Sequence, residues 1–137
     1  MKREFNISVL DGKRILLLGV SYRSDVGDTR YTPVESFYNY LKNDGAHIIL
    51  HDPFVKIWEE KEIEIQENLD NIFESSLDLI VITTAHNEYK NSKKLLNLIC
   101  KQNSLFILDT VGLLNNSEIK KLSKQHKVRV LGRGDIK

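Results

Sequence analysis

Along the chain, apolar residues gather in two kinds of run that alternate. The first kind is short and nearly continuous: Arg14 to Val20, His47 to His51, Leu77 to Ile82, Leu105 to Leu108 and Lys127 to Leu131. Each is bounded by turn residues, which predicts strands buried on both faces. The second kind is spaced. Val34, Phe37, Tyr38 and Leu41 fall at i, i+3, i+4 and i+7, with Thr32 as N-cap, Pro33 at the first helical position and Gly45 just past the end, which predicts an amphipathic helix. Leu69, Ile72 and Phe73 predict a short helix, and Leu95, Leu98, Ile99 and Gln102 a longer one. Ser117 is the expected cap of a last helix through Ile119 and Leu122. Residues 54 to 66 are the least regular, with 62 to 65 expected as a short edge strand.

Strands alternating with helices predict an α/β fold. The expected architecture is a single doubly wound Rossmann-like domain, with a mostly parallel sheet of five to six strands and helices on both faces. No linker, low-complexity tract or internal repeat divides the sequence. Residues 1–137 read as one domain, with 1–12 a lead-in that ends in the turn Asp11-Gly12-Lys13. At 41% apolar and 28% charged over 137 residues, the composition is that of a globular chain. The balance of 20 Lys+Arg against 19 Asp+Glu argues against nucleic-acid binding through bulk charge. One cysteine excludes an internal disulfide and suits a reducing compartment. No apolar run approaches membrane-helix length, no signal core follows Met1, and a cytoplasmic location with no membrane partner is the expectation.

In doubly wound sheets, ligands bind beyond the carboxyl ends of the strands, where the winding reverses. That directs attention to residues 19–33, 51–55, 83–90 and 109–114. The first segment lacks the glycines of the G-x-G-x-x-G dinucleotide fingerprint. It carries Arg23 and Arg30 and ends at the helix start that Thr32 caps. Guanidinium forks beside free helix-start amides suit a phosphate. A solvated loop, with the same arginines paired to Asp25 and Asp28, fits these residues equally well.

The run Gly19-x-x-Tyr22-Arg23-x-Asp25-x-x-Asp28-x-Arg30-x-x-Pro33 resembles the opening of the C-terminal, UDP-binding domain of the UDP-glucose/GDP-mannose dehydrogenase family. Asp52-Pro53, Thr84-Ala-His86, Asp109-Thr110 and Gly132-Arg133 are similar in register, so the likeness covers residues 10 to 134. It implies a nucleotide-sugar 6-dehydrogenase, which oxidises the C6 alcohol of a UDP-sugar to a carboxylate in two NAD-dependent steps. Such enzymes comprise an NAD-binding domain, a central helical dimerisation segment and this domain, so the resemblance allows a homodimer. It implies that Tyr22 and Arg23 contact the nucleotide-sugar and that Arg30 faces the NAD phosphates. The family's catalytic cysteine precedes this domain and does not match Cys100. The NAD fingerprint and the nucleophile are thus expected on another chain or in a longer parent protein, with this chain inactive alone. Thr84-Ala-His86 and Asp109-Thr110-x-Gly112 resemble most the branch acting on N-acetylated hexosamines such as UDP-N-acetylmannosamine.

Two positions depart from the family pattern. Arg23 stands where lysine is usual, replacing a point charge with a planar fork. Val111 stands where relatives often carry arginine, and losing such a contact typically costs about 1.5–3 kcal/mol. The second departure keeps open an alternative: a ligand-free interaction or regulatory module retaining the fold. Among the other polar residues, Asp52 occupies the place of a dinucleotide fold's ribose acid, but a turn role is the simpler reading. His86 and Asp109 are further site candidates at strand ends. His51 is read as satisfying turn groups, and Cys100 as a buried structural thiol rather than a nucleophile. Four scattered histidines predict no metal site. Phe54 and Trp58 are expected in packing.

Overall fold

The computed structural model describes residues 11–21, 29, 34–66, 68–90 and 92–131. Five strands, β1 (Arg14–Leu18), β2 (His47–His51), β5 (Leu79–Ile82), β6 (Phe106–Asp109) and β7 (Lys127–Val130), form one sheet in the order β2-β1-β5-β6-β7. Every neighbouring pair is parallel. The chain winds outward from β1 to β2, then crosses to the other side of β1 and continues through β5, β6 and β7. The winding therefore reverses between β1 and β5.

Continuous apolar strands fit this arrangement because both sheet faces are covered. Ile15, Leu16, Leu17 and Leu18 are all sealed from solvent, each worth about 1.5–3 kcal/mol of hydrophobic stabilisation. Successive residues point to opposite faces. Leu16, Leu18, Ile80 and Ile82 pack with the helices α2 (Leu69–Ile72), α3 (Lys93–Cys100) and α4 (Asn116–Leu122). Ile15, Leu17, Leu79 and Val81 pack instead with α1 (Val34–Asn43) through Val34, Tyr38 and Leu41.

Three local expectations change. Residues 62–65 contribute no edge strand to the main sheet. Their strand, β4 (Ile63–Glu64), pairs antiparallel with β3 (Ile57–Trp58) in a separate ribbon. Trp58, fully buried, fastens this ribbon edge-on against Tyr38 of α1, with ring centroids 5.5 Å apart. Asn115 rather than Ser117 caps α4: it accepts from the Glu118 amide while the Glu118 carboxylate accepts from the Asn115 amide, a capping box. Cys100 is only partly buried, packed against the core at the end of α3. Gly45 ends α1 in the left-handed region at φ +87°, the expected role of glycine there.

Candidate functional site at the carboxyl edge of the sheet

The described site is a set of residues just beyond the ends of β1, β2 and β5 that bind one another. At the end of β1 the backbone turns through Gly19, at φ +109°. A Cβ there would lie 2.4 Å from Thr84 Cβ and 2.8 Å from the Thr84 amide nitrogen, so only glycine fits. The Gly19 amide donates to the His51 carbonyl (2.7 Å), and the Thr83 and Thr84 amides donate to the Leu18 carbonyl (2.9 and 3.2 Å). The Thr84 hydroxyl donates to the Ser21 carbonyl at 3.0 Å. The loop after β1 is thereby stitched to β5 across the reversal point.

Asp52, at the end of β2, holds the same loop from the other side. Its Oδ2 accepts from the amides of Val20 (2.9 Å) and Ser21 (3.1 Å), from the Ser21 hydroxyl (2.8 Å) and from His86 Nε2 (2.9 Å). Its Oδ1 accepts from the Phe54 amide at 2.8 Å. Burial raises the Asp52 pKa, but the hydrogen bonds from His86, Phe54, Val20 and Ser21 together outweigh it and hold the carboxyl below its ordinary value. The Asp52 and His86 side chains are both fully sequestered from solvent. The half-exposed ring of Phe54 covers the imidazole, with centroids 5.1 Å apart.

A second pair braces the first. His51 Nδ1 lies 2.7 Å from the Tyr89 hydroxyl, which donates to the His51 carbonyl at 3.2 Å. Burial, reinforced by the charges of Asp52 and Glu88, pushes the Tyr89 pKa far up, so the phenol remains a donor. Farther along the segment after β1, Thr29 is anchored too: its hydroxyl donates to Glu60 Oε1 at 2.6 Å, at the turn of the β3–β4 ribbon.

Of the residues singled out from the sequence, Asp52 and His86 meet directly. Asp109 stands apart at the end of β6, where its carboxylate accepts from the amides of Val111 (3.1 Å) and Leu114 (2.9 Å). Val111 is 40% exposed on the same edge. Tyr22, Arg23, Asp28, Arg30 and Thr32 lie outside the described residues. Thr84, marked in the sequence only as part of the Thr84-Ala-His86 run, carries much of the geometry, and so do Ser21, Tyr89, Thr29 and Glu60, which the pattern of the sequence does not mark. Their only signal is position, in the segments that follow strands.

A cleft of about 350 Å³ opens beside this network, lined by Asp52, Pro53, Phe54, Val55, Lys56 and Glu88. In a dinucleotide fold the acid after the second strand would face a ribose there. Asp52 is almost wholly buried and both its oxygens accept from protein donors, as the turn role requires.

Comparison with known proteins identifies the lineage. Residues 16–116 match the model of the UDP-glucose/GDP-mannose dehydrogenase family, UDP binding domain. The chain belongs to this family. It is 33% identical over 123 residues to the UDP-N-acetyl-D-mannosamine dehydrogenase of Methanocaldococcus jannaschii, covering 88% of this chain and 27% of that protein. The crystal structure of an NDP-N-acetyl-D-galactosaminuronic acid dehydrogenase from Methanosarcina mazei superimposes with a TM-score of 0.78 at 25% identity, over 96% of this chain and 27% of the other. The fold recurs in a UDP-D-ManNAc dehydrogenase from Pyrococcus horikoshii, with a TM-score of 0.73 at 23% identity, over 98% of this chain and 29% of that one. The chain thus spans little more than a quarter of the family relatives it matches. Among the described residues, no helix is long and apolar enough to cross a membrane.

Proposed function

We propose that this chain is the nucleotide-sugar-binding part of an NAD-dependent UDP-sugar 6-dehydrogenase, one that converts the C6 alcohol to a carboxylate. In this reading residues 1–137 form one UDP-binding domain, with 1–12 as its lead-in. The NAD fingerprint and the nucleophilic cysteine belong to a partner domain, on another chain or in a longer parent protein. The domain works by electrostatic positioning rather than covalent chemistry. Tyr22 and Arg23 contact the nucleotide-sugar, Arg30 meets the NAD phosphates where the two domains face each other, and the helix start at Thr32 adds amide donors. Asp28 flanks these groups. Asp52, His86 and Asp109 shape the loops that present them. The substrate is a UDP-sugar of the N-acetylated hexosamine class, acted on in the cytoplasm.

The observation that carries this reading is the family match over residues 16–116, which runs through the Tyr22–Pro33 segment and the strand-end residues together. Titration calorimetry tests it. UDP should bind the 137-residue chain, and Arg23→Ala should weaken it by about tenfold or more. Absence of heat up to millimolar UDP would reject the reading. The chain alone should form no NADH from a UDP-sugar.

Val111 favours a second reading, a family fold retained as an interaction or regulatory module without ligand. It is exposed and uncharged where relatives often place an arginine. If Val111→Arg creates UDP binding that the wild-type chain lacks, the module reading is correct. If both bind, the valine is a tolerated substitution.

A further inference from the structure

Charge is sorted along this chain. Among the described residues from 59 to 74, every exposed charged side chain is a carboxylate, including Glu59, Glu62 and Glu64 of the β3–β4 ribbon. From 92 to 131, every exposed charged side chain is a lysine. The two carboxylates of that stretch are buried and committed, Glu118 to its capping box and Asp109 to its own turn. A surface that serves solubility alone mixes both signs; segregation of this kind points to a partner.

The lysines share a face because α3 and α4 lie side by side. A cleft of about 310 Å³ between the helices is lined by Lys93, Leu96 and Asn97 from one and by Ser117, Glu118 and Lys121 from the other. Gln125, just past α4, donates to the carbonyls of Cys100 (2.8 Å) and Gln102 (2.7 Å), which brings Lys101 and Lys124 to the same end. Lys93 to Lys101 spans about 12 Å of helix, and packed helices lie about 8–10 Å apart. These spacings are close to the Debye length of about 8 Å at physiological ionic strength, so the lysines act on an anion together. None of Lys93, Lys101, Lys120, Lys121 and Lys124 forms an ion pair among the described residues.

The acidic ribbon stands at the opposite edge of the sheet. The Gln66 amide ties it to β2 by donating to the Leu50 carbonyl at 2.9 Å, whereas α4 packs beside β7. The two edge strands are roughly 19 Å apart across the five-stranded sheet, so within one molecule the ribbon and the α4 lysines cannot neutralise each other. Between molecules they can. The ribbon also presents an apolar point: Ile57, 53% exposed, stands opposite Glu64 in the strand pairing. The lysine cleft offers Leu96 between its cations.

We infer that the lysine face of α3 and α4 is a docking surface for the acidic β3–β4 ribbon of a second copy of this chain. The contact is heterologous, since each copy offers both faces, and assemblies therefore grow with concentration. It is independent of the nucleotide-sugar reading.

Sedimentation velocity of the full chain tests this. In about 25 mM salt the weight-average mass should rise above that of one chain as concentration increases, and about 300 mM salt should weaken association about tenfold or more. Lys120→Glu/Lys121→Glu/Lys124→Glu should stay a single chain, and so should Glu59→Lys/Glu62→Lys/Glu64→Lys. Mixed in equal amounts, these two variants should associate again, because each supplies the charge that the other lacks. The substituted positions are all exposed, so urea midpoints should stay near wild type. If the glutamates disturb the last turn of α4, which favours cations, Lys120→Gln/Lys121→Gln/Lys124→Gln should still weaken association about tenfold. A wild type that remains a single chain up to about 1 mM in low salt would overturn the inference. Association retained by both folded charge variants, or a mixture no heavier than its components, would do so as well. A wild type that stays single yet binds phosphatidylserine vesicles or duplex DNA through these lysines would assign the face to another polyanion and overturn the second copy.

Discussion

Asp52 and Asp109 both stand at the carboxyl edge of one sheet, and both are sealed from water, at 2% and 0% exposure. They nevertheless do different work. Asp109 accepts from amides two and five residues ahead, so it shapes only its own turn. Asp52 accepts from residues 31 to 34 positions away in sequence and joins the loops after β1, β2 and β5. Burial of a carboxylate therefore says little by itself; the sequence distance of its donors separates a turn former from a tie between elements. The segment hanging from Asp52 is the one that carries Arg23 and Arg30. The segment hanging from Asp109 presents Val111.

The contrast predicts unequal costs. Asp52→Ala leaves a buried imidazole and three loop amides without their acceptor and should lower stability by about 3–5 kcal/mol in urea unfolding. Gly19→Ala, on the same seam, combines a forced contact with Thr84 and a left-handed backbone. It should cost about 2–4 kcal/mol by the same measurement. Asp109→Ala should cost less, about 1–3 kcal/mol, because its two orphaned amides belong to one local turn, where that of exposed Val111 can turn to water. Equal losses for the two Asp→Ala variants would break the comparison.

The smallest effect concerns pH and lies away from the edge. His126 Nδ1 accepts from the Leu105 amide at 3.2 Å, which leaves Nε2–H to donate to the Ile99 carbonyl at 3.0 Å. That arrangement needs a neutral ring. Burial holds the His126 pKa below its ordinary value, although the bond to Ile99 pulls the other way. The unfolded chain therefore takes up this proton first, so stability is full above about pH 6.5 and declines as pH falls toward the lowered value. His126→Asn should flatten the urea midpoint between pH 7.5 and 5.5. Asp52 also has a depressed pKa, so its contribution is present above the ordinary carboxylate range and disappears at still lower pH, as the carboxyl protonates.

Much of the fold was legible in the chain because each strand of the main sheet is a short apolar run and α1 repeats at helical spacing. Of the β3–β4 ribbon only β4 was anticipated, and as an edge of the main sheet, since two residues per strand leave no period to detect. The start of α4 was ambiguous for a different reason. Leu114 is followed by Asn115, Asn116 and Ser117, all able to cap. Asn115 prevails because Glu118 falls three residues later and returns a bond, whereas the residue three beyond Ser117 is Lys120. At the edge of the sheet, Asp52 and His86 were visible as strand-end residues, but their pairing was not. They are separated by 34 positions, and only the winding of β2 and β5 around β1 brings them to 2.9 Å.

Gly19 lies so tightly against Thr84 that trimming Thr84 would not free position 19: the Thr84 backbone nitrogen still blocks a side chain there. The seam between the two central strands cannot be widened one residue at a time. In a saturation library, position 19 should tolerate glycine alone, and shortening residue 84 should rescue nothing. A lineage built on this sheet must then vary its carboxyl edge from the periphery, by remodelling the outer loops around a centre held closed.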